Sequence, residues 1–277
     1  MLQRLVGACS FVLFVFVAGS ALASESWGWQ EDGRLARTHC TVEQRETLSQ
    51  AEFDALFSAE NGQPVIVATE VDAAFLRRVA RDALLASHGD EEVTLSVSST
   101  FSYSKRTQRF ADYVNTSVSR PLEETAQLSS PDFLLFGDHS DGWNSLLAAY
   151  RPPALIKPSA TVALSFGVAG PGTGVPFHVH GPTWAQTLVG RKRWFLYPPD
   201  RRPPIDGEES VLRWMERVEG GSNDALRAHG APSECTLPPG RALFVPDGWW
   251  HATLNVDETV FISSFVDERR GGGSELR

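Results

Sequence analysis

Two histidines separated by one residue are the most informative pair of side chains in this sequence. His178 and His180 lie between apolar neighbours in a stretch that is typical of a strand. Residues i and i+2 of an extended strand face the same side, so both imidazoles can bind one metal ion. His251 follows far downstream, directly after two tryptophans, and is a candidate third ligand. Imidazole is a ligand for iron, zinc, nickel and copper. The three histidines therefore predict a metal site.

A basic strand follows the histidine pair after a Gly/Pro break. The run 188–197 ends at two prolines and carries Lys192 between Arg191 and Arg193. Alternation along a strand predicts that Lys192 and Trp194 point inward and that the two arginines are solvated. The alternative is that all three basic residues form one solvated face.

The motifs FHVHGP, GRKRWFLYPPD, ECTLPPG and PDGWWHATLN resemble, over residues 165–266, the JmjC branch of the double-stranded β-helix (cupin) oxygenases. The resemblance implies a mostly β domain with flanking helices, folded as a cupin jelly roll. In that family an H-x-D/E pair and a later His bind Fe(II), and a Lys in the G-x-K-R-W/F strand binds the far carboxylate of 2-oxoglutarate. His178 and His251 match the metal ligands by position, and Lys192 matches the co-substrate lysine.

Three features depart from that family pattern. His180 stands where active JmjC enzymes carry Asp or Glu, and Val175 stands where related enzymes often use Thr or Ser to bind 2-oxoglutarate. No Asn lies within 181–190, where many members place one, and Thr183 is the nearest polar substitute. The resemblance also implies a co-substrate-binding role for Tyr103, whose alternative role is that of a packed tyrosine at a strand end.

The N-terminal residues 1–23 have the three parts of a secretory signal peptide. Arg4 precedes an apolar run, and Ala-Leu-Ala forms a cleavage site before Ser24. The run is shorter than the ~20 residues that span a bilayer, which disfavours an uncleaved anchor. No later segment is apolar enough to span a membrane. We therefore expect a protein of the secretory pathway, in the lumen of the endoplasmic reticulum or secreted.

Charge and length limit the functional classes. The formal net charge of the 277 residues is -9, and loss of Arg4 alone with the signal makes it -10. An acidic chain is a poor binder of nucleic acid, because phosphate contacts need clustered Lys and Arg. We expect an N-terminal helical arm over 24–60 and a JmjC domain over 61–267, followed by a polar tail over 268–277. An insertion between strands at 201–234 could cover the mouth of the site.

Cysteines and one sequon suggest modifications that suit this compartment. Cys9 leaves with the signal, so Cys40 and Cys235 remain as an even pair, and we expect a disulfide between them. Two free thiols and metal ligation are the alternatives. Asn115 begins the only N-x-S/T sequon and is a candidate N-glycosylation site on a surface turn, the alternative being an unmodified helix end.

Two classes of function follow from the sequence. The first is an Fe(II)- and 2-oxoglutarate-dependent hydroxylase that acts on a protein substrate. The second is a non-catalytic regulator in signalling or metabolism that uses the JmjC fold to bind protein partners. A neutral imidazole at His180 supplies no negative charge to the metal, so selectivity for iron over Zn(II) should loosen. We therefore expect metal binding with weak or absent oxygenase turnover.

Overall fold

The computed structural model describes residues 26–58, 62–70, 72–99, 104–129, 131–137, 139–205, 209–220 and 229–267. The predicted signal peptide at 1–23 and the predicted polar tail at 268–277 lie outside these ranges. None of the helices within them is long and apolar enough to cross a membrane.

Strands dominate the described part of the chain. They are β1 Glu43–Arg45, β2 Val65–Ala68, β3 Glu92–Val97, β4 Lys105–Arg109, β5 Phe133–Phe136, β6 Thr161–Ala169, β7 Gly174–His178, β8 Thr183–Val189, β9 Lys192–Tyr197, β10 Ser233–Leu237, β11 Arg241–Val245, β12 Trp250–Asn255 and β13 Thr259–Asp267. The helices are α1 Gln50–Leu56, α2 Ala73–Val79, α3 Arg81–His88, α4 Phe110–Tyr113, α5 Leu122–Ala126, α6 Asn144–Leu147 and α7 Val211–Glu219.

The strands form two sheets that face each other. The larger sheet has the order β1-β2-β11-β8-β13-β6-β5-β3-β4 and the smaller sheet has the order β10-β9-β12-β7. Trp194 and Leu196 of the smaller sheet share a buried cluster with Ala185 and Leu243 of the larger sheet. Non-consecutive strands are neighbours in both sheets, as in a jelly roll. The predicted mostly β fold of the double-stranded β-helix type is confirmed.

The strand β9 is buried on both faces, which corrects one sequence prediction. Lys192 points inward as alternation predicts, but Arg193 is only 1% exposed rather than solvated. Its guanidinium pairs with Glu234 of β10 at 2.6 Å and with Glu219 of α7. Arg191 is half-buried and donates to Asp257. The prediction failed for Arg193 because carboxylates from distant segments cover the outer face of the strand.

Within the predicted insertion 201–234, the described helix α7 lies behind the smaller sheet. Helix α7 begins after the N-cap Ser210 and packs against β7 and β12. Its Trp214 contacts Phe177 and Phe195 edge-on, with ring centroids 4.8 and 5.0 Å apart. These aromatic rings point away from the interior of the barrel. The helix therefore covers the outer face of the sheet and not the mouth of the site, because that face is itself apolar and must be buried.

The N-terminal arm is part of the sheet and core. Helical spacing predicts a helix within 41–59, but only α1 forms, with the capping box that Ser49 and Glu52 predict. The strand β1 precedes α1 and pairs in parallel with β2. Trp29 is buried in the main hydrophobic cluster. The disulfide Cys40–Cys235 is present and joins the arm to β10, as predicted.

The sequon lies in a helix that continues further than the sequence indicates. The sequence predicts a surface turn or a helix end at Asn115, whereas α4 passes directly into a π-helix, Val114–Val118. Asn115 is exposed on this helix, whereas Ser117 of the same sequon is buried. N-glycosylation at Asn115 stays a prediction.

Candidate metal centre

Two neighbouring strands of the smaller sheet bring the three predicted histidines together. His178 ends β7, and His251 lies opposite it in the antiparallel β7–β12 pair. His180 follows the end of β7, where the Gly248 N–H donates to its carbonyl at 3.2 Å. The ring centroids of His178 and His251 are 4.2 Å apart, and those of His180 and His251 are 4.4 Å apart.

Each of the three imidazoles is oriented by a backbone carbonyl. The Nδ1 atoms of His178, His180 and His251 lie 2.7, 2.7 and 2.8 Å from the carbonyl oxygens of Pro176, Gly181 and Trp249. A carbonyl oxygen only accepts, so each Nδ1 must carry the hydrogen. The lone pair of each neutral ring is therefore on Nε2, the atom left for a metal.

The free nitrogens of these rings meet at one point. One nitrogen from each ring lies within 4.8 Å of those of the other two. The Nε2 atoms of His180 and His251 are 2.9 Å apart. Two ligands at right angles, each about 2.1 Å from a metal ion, would be about 3 Å apart. Two facing lone pairs at this distance need a cation between them. The donor set therefore fits a divalent transition metal.

The surroundings keep these histidines neutral. Burial lowers the pKa of His178 to about 4, and the charges of His180 and Lys192 act in the same direction. Burial also lowers the pKa of His180, against the opposing effects of the Gly181 carbonyl and the Asp247 carboxylate. The pKa of His251 lies well below its ordinary value for the same main reason. Metal binding at neutral pH therefore needs no deprotonation of a ligand.

The cluster has no carboxylate ligand within the described ranges. It consists of His178, His180 and His251. The nearest acidic influence on His180 is Asp247, which is exposed at the mouth. The ring of Phe265 contacts His180 edge-on at a centroid distance of 4.8 Å. The metal would thus receive three neutral nitrogen ligands, as the sequence predicts.

Lys192 occupies the opposite end of the same cavity. It is 3% exposed, and its Nζ lies 3.1 Å from the ring centroid of Phe261. Among the described residues no carboxylate pairs with this ammonium, and burial places its pKa well below the ordinary value. A buried cation with only an aromatic face beside it is costly. An anionic ligand would remove that cost.

The cavity between the three histidines and Lys192 is narrow, and residues of both sheets line it. Thr183 lines it, but the Thr183 hydroxyl already donates to the Ser264 carbonyl at 3.1 Å. Its role in co-substrate binding stays a prediction, and Tyr103 lies outside the described residues. The lining residues are Phe136, Val175, His178, His180, Thr183, Ala185, Gln186, Thr187, Lys192, Trp194, His251, Thr253, Phe261, Ile262 and Ser263.

The structure adds cavity residues that sequence reasoning missed. Thr253 lies opposite Val175, and its hydroxyl accepts a hydrogen bond from the Val175 N–H at 3.2 Å. A hydroxyl is therefore present at the level where the sequence shows only valine, supplied by the neighbouring strand. Phe261 and Thr187 are partners in the β8–β13 pair. The signal for Thr187 was its spacing from Thr183, since i and i+4 share a face of a strand.

The chain is similar to known proteins over most of its length. The chain is 38% identical over 264 residues to JmjC domain-containing protein 8 of Mus musculus, covering 92% of this chain and 95% of that protein. The Homo sapiens protein of the same name is 41% identical over 244 residues, covering 86% and 89%. The chain belongs to the JmjC domain-containing protein 8 family. This family assignment confirms the resemblance seen in the sequence motifs.

More distant relatives of the family are oxygenases and demethylases. The "2-oxoglutarate and iron-dependent oxygenase JMJD4" of Mus musculus is 32% identical over 113 residues, covering 35% of this chain and 25% of that protein. The "Lysine-specific demethylase JMJ21" of Arabidopsis thaliana is 27% identical over 259 residues, covering 83% and 26%. The solved ribosomal oxygenase YcfD of Escherichia coli has a TM-score of 0.46 and 18% identity, covering 83% and 54%. No protein-family model matches the chain.

Proposed function

We propose that this protein binds a divalent transition metal at His178, His180 and His251 and binds 2-oxoglutarate with its far carboxylate at Lys192. Its reaction class is hydroxylation of a protein substrate, with weak or absent turnover. One observation carries the proposal: three carbonyl-oriented histidines converge at one end of a cavity whose other end holds a buried lysine. The relatives that are named as iron- and 2-oxoglutarate-dependent oxygenases support the same reading.

The chain's own residues perform three tasks in this proposal. The histidines hold the metal through Nε2, since their Nδ1 atoms are occupied by carbonyls. Lys192 supplies a compact charge for the carboxylate and so sets the orientation of the keto acid. Phe261 and the other apolar walls exclude water from that charge pair. When bound together, Fe(II) and 2-oxoglutarate supply the chemistry that activates molecular oxygen for hydroxylation.

Weak turnover follows from the ligand set. A carboxylate ligand neutralises one of the two charges of a divalent ion, whereas the imidazole of His180 neutralises none. Three nitrogen ligands also suit Zn(II), Ni(II) and Cu(II), so iron must compete with them. We therefore propose that the site binds a metal ion but supports only slow oxygenase turnover.

The experiment is a paired assay on the wild type and His180→Asp. Each protein is loaded with Fe(II) or Zn(II), and bound metal, 2-oxoglutarate affinity and succinate release are measured. We expect both proteins to bind metal and the His180→Asp variant to release succinate faster under iron loading. Asp247→Asn is the matched control, because it changes a carboxylate at the mouth that is not a ligand. Robust turnover by the wild type that falls in His180→Asp would contradict the proposed weak activity.

A non-catalytic regulator is the second candidate function. The observation that favours it is the all-histidine ligand set. Such a set can hold a metal ion that stabilises the fold without taking part in catalysis. In that case the loaded protein would bind a protein partner with the same affinity whether 2-oxoglutarate is present or absent. If the wild type bound no metal under any loading condition, the non-catalytic regulator would be the one candidate function that remains.

We further propose that the protein works in the lumen of the endoplasmic reticulum. The signal-peptide pattern at 1–23 supports this location, and so does the disulfide Cys40–Cys235, since disulfides persist in oxidising compartments. We expect a mature N-terminus at or near Ser24 and a glycan on Asn115. Sequencing a mature N-terminus that starts at Met1 would refute the location. An Asn115→Gln variant with unchanged electrophoretic mobility would refute the glycan.

A further inference from the structure

We propose that Thr187 and Trp194 are ligand-binding residues that determine which acid the cavity accepts, with the Thr187 hydroxyl donating to the carboxylate at Lys192 and the Trp194 indole N–H donating to the acceptor group nearest the metal. This inference rests on the proposed function of the cavity. The inference adds two hydrogen-bond donors, one at each end of the cavity.

Thr187 lies on the same patch of the cavity as Lys192. It is 2% exposed, and its hydroxyl has no hydrogen-bond partner among the described residues. Its cross-strand partner on β13 is Phe261, the residue whose ring lies 3.1 Å from the lysine Nζ. A hydroxyl and an ammonium that share one neighbour can both donate to one carboxylate.

Trp194 lies nearer to the histidines. It follows Lys192 by two residues on β9, a separation of about 7 Å along a strand, and faces the same side. Its ring stacks on His251 with a centroid distance of 6.0 Å and an interplanar angle of 29°. The ring is 5% exposed and lines the cavity, and its Nε1 lacks a hydrogen-bond partner among the described residues. An indole N–H can only donate.

The two groups select the chemistry of the ligand. Leaving a buried donor unsatisfied costs about 1–3 kcal/mol, so two of them in one cavity disfavour the empty site. Both donate, and so does Lys192, so the cavity offers hydrogen-bond donors at both ends. The ligand that complements it has acceptors at both ends, as a dicarboxylate does. A monocarboxylate would satisfy only one end.

Trp143 provides a useful contrast. Its Nε1 is also buried without a partner among the described residues, but the ring packs in the main hydrophobic cluster, between Phe110 and Phe166. It is absent from the residues that line the cavity. An orphan indole alone therefore identifies no site. The inference for Trp194 depends on its position in the wall of the cavity, beside a metal ligand.

The test compares Thr187→Val and Trp194→Phe with the wild type, all as full chains loaded with Zn(II). Thr187→Val removes a donor and keeps nearly the same volume, whereas Trp194→Phe removes a donor together with part of the ring. We expect the dissociation constant for 2-oxoglutarate to rise about 10-fold in each variant, because a hydrogen bond to a charged group is lost. The midpoint of thermal unfolding without ligand should stay the same or rise in Thr187→Val, because an unsatisfied polar group is removed. It should fall somewhat in Trp194→Phe, because the smaller ring leaves a cavity in the core.

Controls separate a binding role from a structural role. Trp143→Phe removes a buried N–H outside the cavity and should leave the affinity unchanged. Thr259→Val removes a hydroxyl that donates to the Arg191 carbonyl, so it should lower stability without changing affinity. With 2-oxopentanoate, which lacks the far carboxylate, Trp194→Phe should still weaken binding and Thr187→Val should not.

The outcomes distinguish this inference from the proposed function. A wild type that binds 2-oxoglutarate with variants that bind it equally well would overturn the inference and leave the proposed function intact. A wild type that binds no 2-oxoglutarate would overturn the proposed function. In that case the unfolding midpoints decide the inference: a lower midpoint in Thr187→Val would assign the hydroxyl to the fold.

Discussion

The Nε2 atoms of His180 and His251 lie 2.9 Å apart, and the Nδ1 atom of each ring faces a carbonyl oxygen. Both Nε2 atoms therefore carry lone pairs when the rings are neutral. A proton or a metal ion must lie between them for this geometry to persist. Because burial keeps the rings neutral near pH 7, a proton occupies this position only at lower pH, where it competes with a metal ion.

The first prediction concerns acid stability without metal. Burial lowers the pKa of His178 to about 4 from an ordinary value of 6.5. Between these values the unfolded chain binds more protons than the folded protein, so the free energy of unfolding falls as pH falls. The expected slope is about 1.4 kcal/mol per pH unit for each such histidine. Urea unfolding at several pH values measures it.

A His178→Gln variant is the control for this slope. It removes one titrating imidazole and keeps a polar side chain that can donate to the Pro176 carbonyl. Between pH 6.5 and 4, the slope of the unfolding free energy against pH should decrease by the contribution of about one bound proton. An identical slope in the variant would show that His178 does not titrate with the lowered pKa.

The second prediction contrasts two adjacent basic residues. Lys192→Met should abolish 2-oxoglutarate binding, and it should leave stability unchanged or higher because a buried unpaired charge is removed. Arg191→Ala should leave binding nearly unchanged but lower stability by about 3 kcal/mol, because Asp257 loses its guanidinium partner at 2.7 Å. Calorimetric titration and urea unfolding measure the two effects. Equal loss of binding in both variants would mean that Lys192 is not distinguished by its inward position.

The third prediction concerns the disulfide. Cys40 and Cys235 are 195 residues apart in the sequence, so their bond closes a long loop. Replacing both with serine should lower the free energy of unfolding by about 3–5 kcal/mol. Peptide mapping without reductant should recover the two cysteines in one linked fragment. Recovery of two free thiols from the native protein would contradict the bond.

The fourth prediction tests the position of α7. Trp214→Ala should lower stability by about 3–5 kcal/mol, because the ring fills the space between Phe177 and Phe195. Metal stoichiometry of the folded fraction should not change, since the helix lies on the outer face of the sheet. Arg217→Ala, on the exposed side of the same helix, should cost no more than about 1 kcal/mol. Metal lost from folded Trp214→Ala would place α7 at the mouth after all.

The sequence predicted the inward-facing residues better than the outward-facing ones. Strand alternation placed Lys192 and Trp194 correctly, because the side of a strand residue depends only on its neighbours. Whether the opposite side meets water depends on distant segments. Arg193 is buried by Glu219 and Glu234, and neither carboxylate can be assigned to it from local pattern.

The same distinction applies to the candidate site. The spacing of His178 and His180 and the position of His251 identified the histidine cluster that could hold a metal ion, because each histidine lies in a motif with its own signal. Thr187 and Thr183 look alike in the sequence. Only the structure shows that Thr183 donates to the Ser264 carbonyl whereas Thr187 has no partner among the described residues. Hydrogen-bond satisfaction is a three-dimensional property that spacing does not encode.

The buried turn between β12 and β13 affects how the chain can be assembled during synthesis. Asp257 accepts the N–H groups of Asp32 and Gly33, and Glu258 accepts that of Gln30. These contacts join residues 224–228 positions apart. At about 5–20 residues per second, the early segment emerges roughly 10–45 s before its docking site exists. Cys235 follows Cys40 by 195 residues, so the nascent chain carries Cys40 as a free thiol for most of that interval, until β10 is made.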